Sequence, residues 1–220
     1  VRTAQYAIAA SAQGYGTSGL NPRRENHPFR NISIYRVECT FKSSVNANQG
    51  VVAVNIANSL AGVCAIREIH TRFESSDALS GTASTAIRVD GVVSGVLNID
   101  AIEGGKIGRA YFSNGNYGTG SPIVGPTVLR NIKYDSIGEV IRAQGSSRID
   151  VDAVYLGGIL TGSTLINVES GFSRNPQNLT LGANIIYGGA EPQLFSTTNA
   201  PTGRVNTHPA SVGSSATDTA

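Results

Sequence analysis

The sequence predicts an all-β chain, and within that class a single-stranded right-handed parallel β-helix. Three observations carry the prediction. Short apolar segments recur from residue 31 to about 188, each broken by Gly, Ser, Asn or Asp. None sustains a 3.6-residue apolar stripe, so they read as strands. The composition agrees: of 220 residues 26 are glycine, Met and Trp are absent, and only 15% are charged. Glycine and β-branched residues are weak helix formers that suit short strands and tight turns. Finally, similar triplets recur at a loose period. Ile66 and Ile87 each sit in an "AIR" 21 residues apart, Ile32 and Ile56 are 24 apart, and Cys39 and Cys64 are 25 apart. Such intervals match one coil of a parallel β-helix, in which like residues stack on like. On that reading Cys39 lies above Cys64 in one interior stack.

An antiparallel β-sandwich is the alternative, since it also uses many short strands. Its hairpins favour Asn-Gly or Asp-Gly turns, and only Asp90-Gly91 and Asn114-Gly115 qualify. A Rossmann-like fold is disfavoured, because no helical crossover separates the strands.

The elements follow in order. Residues 1–30, ending in "NPRRENHPFR", are polar and glycine-punctuated and read as an arm or loop segment. The body spans 31–188 through "NISIYRV", "VVAVNIANS", "GVCAIREI", "STAIRVDGV", "SGVLNIDAI", "KIGRAYF", "PTVLRNIKY", "GEVIRAQG", "RIDVDAVYL", "STLINVES" and "LTLGANIIYGG". Alternation in "RIDVDAVYL" turns Ile149, Val151 and Ala153 inward and Asp150 and Asp152 outward. "LNIDAI" likewise puts Leu97, Ile99 and Ala101 inside, with Asn98 and Asp100 outside. Residues 189–220 are rich in Ser, Thr, Ala and Pro and read as a flexible or partner-ordered segment.

Several functions are disfavoured. Net charge is +2 with no basic run beyond Arg23-Arg24, so nucleic acid is a poor partner. No stretch approaches a membrane span, and no signal peptide is visible. The chain starts at Val1, which leaves a processed product or a fragment open. Two cysteines and the scattered His27, His70 and His208 lack zinc-ligand spacing, so no metal is expected. Buried thiols are preferred to a single disulfide. "GGKIG" at 104–108 lacks phosphate-loop spacing and there is no G-x-S-x-G elbow, so no cofactor is expected either.

The run of "NISIYRV", "VCAIREIHTRF", "TAIRVDGVVSGVLNIDAI" and "VLRNIKYDSIGEVIRAQG" resembles bacteriophage tailspike and tail-fibre proteins with a pectate-lyase-like parallel β-helix. The resemblance covers about residues 31–188 and implies a virion or extracellular location. It also implies a trimer, contact with other virion proteins, and recognition of bacterial surface polysaccharide, with or without cleavage.

Carboxylates are the remaining catalytic candidates. Asp150 and Asp152, about 6.6 Å apart along a strand, match the lower end of an inverting-glycosidase gap of about 6.5–9.5 Å. The same alternation also describes the wet face of an ordinary strand. Asp100 is a further candidate, while Glu103 and Glu169 lie at turn-like ends. Glu68 and His70, beside Arg67 and Arg72, form either a proton-transfer pair or a local ion network. For glycan binding without cleavage, Tyr111, Asn114, Asn116 and Tyr117 cluster in the glycine-rich "AYFSNGNYGTG". Tyr134, Asp135 and Tyr155 extend that candidate surface. The expectation is host-glycan recognition, with a polysaccharide hydrolase or lyase and a virion assembly protein as alternatives.

Overall fold

The computed structural model describes residues 6–11, 29–41, 51–57, 60–73, 84–90, 95–114, 126–144, 148–159, 164–168, 180–189, 193–195 and 202–209. They form β1 (Tyr6–Ser11), β2 (Phe29–Phe41), β3 (Val51–Ala57), β4 (Leu60–Phe73), β5 (Ser84–Asp90) and β6 (Val96–Asn114). The chain continues through β7 (Thr127–Gln144), β8 (Arg148–Leu156), β9 (Thr164–Val168), β10 (Thr180–Tyr187), β11 (Gln193–Phe195) and β12 (Thr202–Pro209). Every pairing among these strands is parallel. The fold is a right-handed parallel β-solenoid. The sandwich alternative is thereby overturned: Asp90 pairs in parallel with Ala57 and Asn114, and Asn114 with Gln144, so neither begins a hairpin.

Two ladders run along the solenoid. The first contains β2, β4, the leading half of β6, the leading half of β7, then β8, β10 and β12. The second contains β1, β3, β5, the trailing halves of β6 and β7, then β9 and β11. The ladders therefore also take in β1, upstream of residue 31, and β11 and β12, downstream of residue 188. Because β6 and β7 run through both ladders, their midpoints mark the corner of the coil.

Like residues do stack on like in the core. Ile66, Ile99, Leu129, Val151 and Ala183 form one buried column, and Val37, Ile69, Ile102, Ile132, Val154 and Ile185 another. Burying each of the larger side chains stabilises the fold by about 1.5–3 kcal/mol. In β4, β6, β7 and β8 the two columns are three residues apart along the chain, so these coils turn two successive residues outward between them, whereas in β10 only Asn184 separates Ala183 from Ile185. Asp100 and Ala101 occupy that bend in β6, as Asp152 and Ala153 do in β8. This corrects the inward placement of Ala101 and Ala153: Ile102 and Val154 take the interior, and strict alternation holds only along the straight part of a strand.

The Cys39–Cys64 stack is also corrected. Cys39 aligns with Thr71, whereas Cys64 aligns with Ile32 and Leu97, and both thiols are free. Steps between coils in the first ladder range from 33 residues (Cys64 to Leu97) down to 22 (Thr127 to Ile149), and in the second the step from Tyr6 to Val52 is 46. A constant interval therefore lands on different faces in different coils.

At the corner the coils approach closely. A Cβ on Gly104 would lie 2.0 Å from the Thr71 carbonyl oxygen, so no larger residue fits there without a backbone shift.

Candidate functional site

The outward residues beside this corner build the site. His70 on β4, Glu103 on β6, Lys133 on β7 and Tyr155 on β8 are consecutive partners in the first ladder. They project from adjacent coils about 4.8 Å apart. At one end of this column Gly104 and Gly105 leave space, and a cleft of about 710 Å³ opens. His70, Arg72, Glu103, Lys106, Lys133 and Asp135 supply its charged and titratable lining. At the other end Tyr155 presents a ring that is 45% exposed.

Within the column, His70 Nδ1 lies 3.3 Å from Glu103 Oε1. Glu68 precedes His70 by two residues and projects on the same side, so the donor atoms of Glu68, His70 and Glu103 all fall within 4.8 Å of one another. All three side chains are half-buried. Beneath them the buried Thr71 Oγ1 and Tyr134 hydroxyl are hydrogen-bonded at 2.7 Å. Burial pushes the Tyr134 phenol well above its ordinary range; the Thr71 hydrogen bond opposes this and the Glu103 charge adds to it. Tyr134 is thus a neutral strut under the site. The solenoid carries a half-buried acidic and histidine cluster at a polar cleft, a surface consistent with carbohydrate binding or catalysis.

The three aspartates are placed elsewhere. Asp100 and Asp152 occupy a neighbouring outward column and share Arg130, whose Nε is 3.0 Å from Asp100 and whose Nη1 is 3.9 Å from Asp152. Asn131 donates to the Asp100 carbonyl and Asn184 to that of Asp152, at 3.2 and 3.0 Å. Asp150 is held by Arg148 Nε at 2.7 Å. None of the three lines the cleft. Tyr111 is fully buried, its hydroxyl 3.1 Å from Thr127 Oγ1. Asn114 ends β6, whereas Asn116, Tyr117 and Glu169 lie outside the described residues.

Glu68, His70 and Glu103 each stood out in the sequence, but their meeting depends on the step of 33 residues between β4 and β6. Lys106 and Lys133 carried no signal there: each is a lone lysine in an apolar segment. No family profile, curated protein or solved structure significantly matches the chain. Among the described residues no helix is long and apolar enough to cross a membrane.

Proposed function

We propose that this solenoid recognises bacterial surface glycan as part of a phage tailspike or fibre. The observation that carries the reading is the column from His70 to Tyr155, which joins a polar cleft to an exposed aromatic ring. Sugars offer hydroxyls for hydrogen bonds and C–H faces for stacking. Arg72, Lys106 and Lys133 donate, Glu103 and Asp135 accept, and Tyr155 supplies an aromatic platform. Trimerisation on a virion would multiply weak single-site contacts through effective concentration.

The test is a titration of the intact chain with bacterial surface polysaccharide, followed in parallel for new reducing or unsaturated ends. Tyr155→Ala and Lys133→Ala are expected to weaken binding severalfold each while leaving the circular dichroism unchanged. Undiminished binding by both variants would refute the assigned surface.

The His70–Glu103 contact favours a second reading, a glycan-cleaving enzyme in which this pair moves a proton. Product formation that His70→Ala abolishes while binding persists would establish it. A hydrolase acting through Asp150 and Asp152 would instead have to release them from Arg148 and Arg130. Binding without product would remove both enzymatic readings.

A further inference from the structure

We infer that Glu68, His70 and Glu103 form a binding site for a divalent transition-metal ion of the zinc class. The inference concerns the ion alone and stands whether or not the surface binds glycan.

The donor set is one imidazole nitrogen with two carboxylates, borderline and hard ligands that together suit zinc. Calcium is a poorer match, since it takes six to eight oxygens and no imidazole. The spacing fits as well. Bonds of about 2.1 Å at tetrahedral angles put neighbouring ligand atoms about 3.4 Å apart. His70 Nδ1 and Glu103 Oε1 already stand 3.3 Å apart. Rotation of the Glu68 carboxylate brings in the third donor from within 4.8 Å.

The fold supports that geometry. Glu68 and His70 are both outward on β4, with the buried Ile69 between them, and His70 is in direct register with Glu103 on the next coil. Ladder hydrogen bonds thus fix the relative position of the three Cα atoms. The electrostatics are favourable too, because two carboxylates converge on a single imidazole. Arg36 reaches Glu68 only at 3.6 Å, and its shorter contact, 2.5 Å, is to Glu38. A divalent ion would draw on the two carboxylate charges in competition with Arg36 and with Arg72, Lys106 and Lys133 of the cleft. The adjoining cleft leaves its remaining coordination positions open to water or to a ligand hydroxyl.

The experiment is isothermal titration of the chelator-stripped intact chain with zinc chloride, and separately with calcium chloride, in the absence of glycan. One zinc per chain is expected, with calcium markedly weaker. His70→Ala, His70→Gln and Glu103→Gln should each weaken zinc at least about tenfold, while Asp152→Asn, an outward carboxylate outside the triad and the cleft, leaves the affinity unchanged. Circular dichroism establishes that each variant is folded. Lack of saturable zinc binding by the parent chain, or unaltered binding by both folded His70 variants, overturns the inference. Loss of glycan binding alone would leave it standing.

Discussion

Replacing Glu139 by alanine offers the sharpest test of how completely water is excluded from the polar part of the second ladder. Arg109 on β6 and Glu139 on β7 are in register inside the second ladder, with Nε and Oε2 2.6 Å apart. Their side chains are only 4% and 9% exposed. The same carboxylate accepts from Asn167 on β9 at 3.2 Å and lies 3.5 Å from Arg142 Nη2, so one acid ties three successive coils. The alanine variant leaves the Arg109 guanidinium desolvated over the Phe112 ring, 4.8 Å from its centroid, without its carboxylate. Breaking a buried pair from one side costs about 3–5 kcal/mol. With a urea m-value of about 2 kcal/mol/M, the unfolding midpoint should fall by about 1.5–2.5 M. The double variant Arg109→Met, Glu139→Leu should recover most of that loss, because it removes both desolvation penalties together. Urea titrations followed by far-ultraviolet circular dichroism measure both effects at matched m. A loss below about 1 kcal/mol for Glu139→Ala would mean that water reaches the pair, which would refute its burial.

Three further outcomes are expected. Tyr134→Phe strands the buried Thr71 hydroxyl and should cost about 1–3 kcal/mol in the same titration; an unchanged midpoint would contradict the strut under the cleft. Gly104→Ala should lower the thermal midpoint and weaken zinc and glycan binding together, since its Cβ would push the Thr71 carbonyl beside His70; Gly105→Ala, whose nearest contact is the Asp135 carboxylate at 3.6 Å, should be far milder. Burial pushes the Cys64 thiol from 9.0 up to about 11, so the native state holds a proton that the unfolded chain releases. That contribution to stability is complete below pH 9 and is lost as pH rises from 9 to 11. Cys64→Ala should flatten this alkaline decline, and rapid reaction of native Cys64 with a thiol reagent at pH 8 would refute the burial.

Local alternation was enough to place Ile149 and Val151 inside and Asp150 and Asp152 outside. It failed at Ala153 because a bend, which has no composition signature of its own, turns two residues outward. The coiled architecture was legible because each coil must fill the same interior, and that demand repeats apolar segments. Register was not legible, because connections of different lengths join the coils at no cost to the core. Hence Cys39 was matched to Cys64, when Thr71 is its partner. Hence, too, Glu103 looked like a turn residue until the ladder set it against His70. A site assembled across coils lies in the register and so escapes any reading of one segment at a time.

Each outward column takes one residue from each coil, so neighbouring columns can serve different ends on one scaffold. In the column from Tyr35 to Asn184, Arg67 lies over the Tyr35 ring, 4.9 Å from its centroid, Asp100 and Asp152 share Arg130, and the Asn184 side chain donates to the Asp152 carbonyl on the preceding coil. The charges of that column pair with one another on an exposed face outside the cleft. The column from His70 to Tyr155 instead borders open space at the glycine corner. The two roles separate by substitution. Arg130→Ala should destabilise the fold by about 0.2–1 kcal/mol for each exposed pair lost and leave zinc and glycan affinity unchanged. Lys133→Ala should do the reverse, sparing the urea midpoint while weakening glycan. If Arg130→Ala abolished binding and Lys133→Ala did not, the aspartate column would be the functional surface and the cleft a by-product of the corner.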